Sequence, residues 1–149
     1  MNTEGTETQP TGPDEALQAL DRLVGTWEIS GEAGGQVRYE WLEGGFFLLQ
    51  HVNLEQEGEH TTGLEVIGRE RGYGESEPSE HIKSRYYGSD GSTLDYVYEL
   101  EGDQLTIWFG EPGSPAYYRG QFNAEGTVLS GGWVYPGGGG YKTMATRVS

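Results

Sequence analysis

A chain of 149 residues is long enough for one self-supporting core, and its lack of cysteine excludes disulfides and cysteine-based zinc sites. Its 24 acidic residues against 9 basic ones give a net charge of −15. A field of that sign repels phosphate backbones and anionic membranes, so neither nucleic acid nor membrane is an expected partner.

In chain order, residues 1–12 form a polar, acidic segment with nothing apolar to bury, and the expectation there is a disordered tail. It has neither the basic start nor the apolar stretch of a secretory signal. With cysteine absent and no apolar run of membrane-spanning length, the expected setting is a soluble cytoplasmic protein. Residues 13–149 read as a single domain. Pro13 opens the one helix signal, since proline suits the first helical position and Asp14 and Glu15 complement the helix's positive end. Ala16, Leu17, Leu20, Leu23 and Val24 share a face. That stripe is expected to pack across an open end or the outside of the β-structure beyond it, as a short lid or plug.

From Gly25 the pattern switches to alternation by two. It divides into ten strand-like runs: 25–31, 36–42, 46–54, 61–69, 81–88, 92–100, 104–109, 116–123, 127–135 and 141–148. Glycine-, proline- and aspartate-rich turns separate them, such as Gly44-Gly45, Asp90-Gly91, Gly102-Asp103 and Glu125-Gly126. The stretch 70–80 is longer and reads as a surface loop. A meander of adjacent hairpins with no helix between them predicts an all-β fold, an antiparallel up-and-down barrel of about ten strands with one short N-terminal helix.

Inward-facing positions of such a barrel line a cavity or fill it. Parity puts Leu94, Tyr96, Tyr98 and Leu100 inside, with Leu105, Ile107 and Phe109. The same reasoning assigns Val37, Tyr39, Trp41, Ile82, Tyr86, Tyr118, Phe122 and Trp133 to the interior. Strand 46–54 is ambiguous, because both of its faces carry large apolar residues. The interior has two readings: a filled aromatic core, or an apolar pocket whose polar tips orient a flat or amphipathic ligand.

Other candidates for chemistry are few. His51 lies in a strongly apolar run and is the most reactive candidate, as a base or ligand or as a hydrogen-bonded structural residue; Glu40 or Glu65 could partner it. His81, Lys83 and Arg85 share a strand face, either as solvated alternation or as an anion-binding strip. Arg38 and Arg119 are single charges on strands, and the neighbours of Arg119 point it outward. The run Gly137 to Gly140 has no helix after it and is not a phosphate cradle. No catalytic motif is present, and no metal is expected. Trp108, Tyr117 and Tyr135, if grouped on the outer wall, could form a dimer face, so both monomer and homodimer stay open.

The helix running into Gly25-Thr26-Trp27 resembles the G-x-W signature of calycins, the superfamily of lipocalins and fatty-acid-binding proteins. In that resemblance the tryptophan closes one barrel end beneath a basic residue of the last strand, and Arg147 stands where that partner would be. Tyr39 to Phe46, Glu65 to Gly68 and Leu129 to Trp133 are similar to a bacterial family of calycin-like barrels without assigned function. The resemblance implies a lumen that binds a small hydrophobic or aromatic molecule, lined by Tyr39, Trp41, His51, Tyr86, Tyr96, Tyr98, Tyr118 and Trp133. Gly25, Trp27 and Arg147 are its structural signature. A small barrel enzyme of cyclase or isomerase type, using lumen tyrosine, histidine or glutamate, is the alternative. More distantly, the chain is similar to nitrobindins, which hold haem on a histidine of the last strands. The segment from Trp133 to Ser149 has no histidine, so no cofactor is expected unless His51 holds one.

Overall fold

Side chains of a strand alternate between two faces, so ten alternating runs joined by tight turns can bury one face by curling around it. That is the arrangement seen in a computed structural model, which describes residues 12–149. The strands are β1 (Gly25–Gly31), β2 (Gly34–Trp41), β3 (Phe47–Gln56), β4 (Glu59–Gly68), β5 (Ile82–Gly88), β6 (Thr93–Glu101), β7 (Gln104–Phe109), β8 (Tyr117–Phe122), β9 (Val128–Val134) and β10 (Tyr141–Arg147). Each pairs antiparallel with the next, and β1 pairs with β10 to close the barrel. The tail expected at 1–12 lies almost wholly outside the described residues. Among the described residues no helix is long and apolar enough to cross a membrane.

The tight hairpins reflect turn chemistry. β3 and β4 are joined by the two residues Glu57 and Gly58, with φ of 51° and 81°. That backbone suits the twist of paired strands but disfavours a side chain with a Cβ at the first position. Glu57 is the one non-glycine residue at positive φ among the described residues. We expect Glu57→Asn to raise stability by about 0.5–1 kcal/mol, read as a higher urea midpoint with unchanged slope.

The helix proper begins two residues later than expected, at Glu15 instead of Pro13. Asp14, not Pro13, caps α1 (Glu15–Gln18), its carboxylate accepting from the Ala16 N–H at 3.2 Å. Proline precedes the cap instead of occupying the first helical position. The chain then tightens into a 3-10 helix, Ala19–Leu23. Arg69, just past β4, grips Asp14 through Nε at 2.8 Å and Nη2 at 3.0 Å, fastening the segment across one barrel end. Leu17, Leu20 and Leu23 bury themselves there against Leu48, Ile67 and Leu105. Of the two positions expected for the helix, it takes the open end and plugs it.

A helix terminus leaves carbonyls without partners. Here the first strand and the last supply them. The Trp27 indole donates to the Leu23 carbonyl at 2.8 Å, and Arg147 Nη2 donates to the Arg22 carbonyl at 2.6 Å. Arg147 Nη1 reaches the Val24 carbonyl. The guanidinium lies 4.3 Å from the Trp27 ring centroid, a cation–π contact inside the seal.

Candidate functional site

Barrel strands tilt, so a row of paired residues climbs the wall as it crosses the strands. One inward row runs Trp41, Leu48, Ile67, Ser84, Tyr96, Phe109. Leu48 and Ile67 are fully buried at the plug, whereas Phe109 is 45% exposed at the far rim. The next row towards the mouth is Tyr39, Gln50, Glu65, Tyr86, Leu94. Its buried members, Tyr39 and Glu65, stand one step above the plug, and it rises to the exposed Leu94.

Above the plug the lumen holds a cavity of about 270 Å³. Leu23 and Trp27 form its floor; Leu54, Thr61, Leu94, Tyr135 and Tyr141 line its upper part. An aromatic wall runs round one side. Trp133 lies 5.6 Å from Tyr118, 5.7 Å from Tyr96 and 6.2 Å from Tyr135 between ring centroids, and Tyr135 continues to Tyr141 at 6.4 Å. Glycines leave room for this lining. A Cβ on Gly63 would come within 2.5 Å of the Tyr86 ring, whose hydroxyl donates to the Thr62 carbonyl at 3.0 Å. A Cβ on Gly120 would meet the Tyr118 hydroxyl.

Opposite the aromatic wall is the polar centre. Glu65 is 6% exposed. Its Oε2 accepts from Ser84 Oγ at 2.6 Å and from the Tyr98 hydroxyl at 2.9 Å. Beside it, Gln50 Nε2 donates to the Tyr39 hydroxyl at 2.8 Å. Burial raises the Glu65 pKa above its ordinary value, against the pull of the Ser84 and Tyr98 hydrogen bonds. Burial also pushes the phenols of Tyr39 and Tyr98 well up, with the Glu65 charge adding to it. Tyr96 and Tyr118 rise for the same first reason, and Tyr141 is pushed up to about 12. Among the described residues, Glu65 is the one formally charged side chain lining the cavity.

Of the residues the sequence assigns to the lumen, Tyr39, Tyr86, Tyr96, Tyr98, Tyr118 and Trp133 line this cavity. Two stand elsewhere. Trp41 has the inward parity but belongs to the plug, its indole donating to Asp21 Oδ1 at 2.8 Å. His51 is corrected outright: the inward set of β3 is Leu48, Gln50, Val52 and Leu54, so His51 faces out. There its Nε2 meets Glu40 Oε2 at 2.7 Å, and Arg38 pairs with the same oxygen at 3.2 Å. Glu40 is thus the partner of His51, and a histidine-held haem finds no imidazole lining this lumen.

Tyr135 is the opposite correction. Expected on the outer wall, it lines the cavity beside Trp133, with which it shares parity. Trp108 and Tyr117 do group outside, 5.2 Å apart, with Arg119 lying 5.5 Å and 4.9 Å from their ring centroids. The basic strip is neutralised in part, Lys83 by Glu70 and Arg85 by Asp95.

The lining residues missed by sequence reasoning include Gln50, Thr61, Glu65 and Tyr141. On β4 the apolar set Leu64 and Val66 points outward, and the set with Gly63 and Glu65 points in. Ile67 shares the inward face, so hydrophobic alternation alone does not separate the two faces there. Compared with protein-family models and with curated proteins, the sequence finds no match in either.

Proposed function

We propose that this barrel is a cup for one small, largely apolar aromatic molecule, held in the lumen above the plug. The observation that carries the reading is the cavity itself, floored by Trp27, walled by tyrosine and tryptophan, and furnished with few polar groups. Ligand sites generally have that composition. A volume of about 270 Å³ falls just under the span of drug-sized sites, roughly 300–1,000 Å³, and above the roughly 150 Å³ that admits benzene. One or two rings fit; a long acyl chain does not. We also place the chain with calycin-type barrels. The helix leading into Gly25-Thr26-Trp27 and the contact of Arg147 with Trp27 support that kinship.

The test uses a neutral, environment-sensitive naphthalene dye. Its emission is expected to shift to the blue on mixing with the protein. Leu54→Trp, which adds bulk in the upper lumen, weakens dye affinity by about tenfold or more, equivalent to at least about 1.4 kcal/mol. His51→Ala, on the outer wall, changes it less than about twofold, within the small range of surface substitutions. Absence of any blue shift, or equal dye affinity in Leu54→Trp and the parent, refutes the cup.

A further inference from the structure

We propose that the lumen selects a protonated amine carried on a small aromatic body, with Glu65 as its counter-ion. This rests on the cup reading above and narrows it to one ligand class.

The first argument is the unfilled half of the Glu65 carboxyl. Both of its hydrogen bonds arrive at Oε2, from Ser84 and Tyr98. Among the described residues Oε1 has no hydrogen-bond partner, and Glu65 borders the cavity while only 6% exposed. A carboxylate offers about four lone-pair sites, and leaving buried ones empty is unfavourable. An ammonium group is a compact donor of three hydrogen bonds and supplies the missing charge as well.

The second argument is what the cavity lacks. Its lining has no lysine, arginine or histidine. The guanidinium of Arg147 lies against Trp27 and spends its N–H groups on the Val24, Arg22 and Gly126 carbonyls. An anionic ligand would meet a buried acid and no cation. The phenols of Tyr39 and Tyr96 can donate or accept, so they hold polar ligands without choosing their sign. Glu65 makes the choice.

The third argument is the shape of the site. Glu65 sits deep, one row above the plug, while Tyr96, Trp133, Tyr135 and Tyr141 form the aromatic wall. Their faces suit both a ligand ring and a cation beside it. A molecule with its ammonium down on Glu65 and its ring against that wall satisfies both ends of a cavity of this volume. The net charge of −15 favours cations over anions at the mouth.

Three probes on a matched phenyl skeleton decide it: phenethylamine, phenethyl alcohol and hydrocinnamate, each competing with the neutral naphthalene dye near neutral pH. Phenethylamine is expected to displace the dye about tenfold more effectively than the alcohol, with hydrocinnamate weakest, as a charge-assisted hydrogen bond implies. Glu65→Gln keeps the side-chain shape and an oxygen for Ser84 and Tyr98. It should erase the preference for the amine while leaving the alcohol within about twofold, since the neutral contacts remain. The order of the three probes on the unaltered protein is a test in itself, whatever the variant's stability. Equal competition by all three, or hydrocinnamate ahead, overturns the amine proposal while dye binding leaves the cup standing. Retention of the amine preference in Glu65→Gln also overturns it. A protein that takes up neither dye nor probe refutes both.

Discussion

Trp27→Ala lowers the unfolding free energy by about 3–5 kcal/mol, the range for truncating a large buried aromatic. Trp27 is 1% exposed and sits where the helical plug, β1 and β10 meet. Its removal does three things at once. It opens a void beside Phe122, whose ring centroid is 6.2 Å away. It strips the Leu23 carbonyl of its donor. It leaves the Arg147 guanidinium without the ring it covers. Trp27→Phe restores an aromatic face for the cation but not the indole N–H, and should cost about 1–3 kcal/mol through the unsatisfied carbonyl. Arg147→Lys keeps the charge but loses the planar fork that reaches several carbonyls. Combined with Trp27→Phe, it measures how strongly the two residues act as a unit. Urea unfolding of the parent, the single variants and the double variant gives the values. A loss below about 1 kcal/mol for Trp27→Ala would mean that the plug is held by its leucines alone.

Glu65→Gln becomes progressively more stable than the parent as pH rises. The carboxyl is pushed above its ordinary value of 4.5 by burial. Between the unfolded and folded values, the folded protein therefore binds the extra proton. Stability from this residue is fully present below the unfolded pKa and declines as pH climbs through the folded one. Over that window the gap between variant and parent widens by up to about 1.4 kcal/mol per pH unit, then levels off. Other lumen groups do not confuse the reading. Tyr39 on β2, Tyr86 on β5, Tyr96 and Tyr98 on β6 and Tyr118 on β8 are all pushed to more alkaline values. Gln50 and Ser84 do not titrate. On the surface, Asp14 and Glu40 are held low, by Arg69 and by His51 respectively, and lose their contribution in acid equally in both proteins. Melting curves of the pair from about pH 4 to about pH 9 test the claim. Parallel stability profiles would show that Glu65 ionises as freely folded as unfolded.

Both experiments probe features that are unequally visible in the amino-acid order. The pairing of Trp27 with Arg147 is legible only through the resemblance of Gly25-Thr26-Trp27 to the calycin G-x-W signature; alternation alone does not single the two out. Most of the aromatic wall is legible as well, because Tyr96 and Tyr98, or Trp133 and Tyr135, share a parity that one fixed member settles. The two-residue spacing of Tyr135 from Trp133 places it on the inner face with that tryptophan.

The polar centre is not legible, for a physical reason. Period-two reasoning finds the buried face by its apolar residues, and on β4 the buried face carries Thr61, Gly63 and Glu65 beside a single large apolar residue, Ile67. Glycine is there to admit Tyr86, and glutamate is satisfied by Ser84 from the next strand and Tyr98 from the one beyond. Those partners lie 19 and 33 residues away, across the long connection before β5. No local pattern reports such a contact. On β3 both faces are apolar, so His51 could be turned inward or outward until its neighbours were known.

What the sequence determined by itself was the local chemistry: strands by alternation, hairpins by glycine-rich turns, and one short helix. Only the tertiary structure decided which face of β3 and β4 looks inward, where the helix docks, and that a carboxyl stands inside the cup while the histidine stands outside. Local periodicity fixes a strand's two faces only relative to each other. Their absolute sense is set by pairing and tilt around the closed wall, where every strand must agree with its neighbours at once.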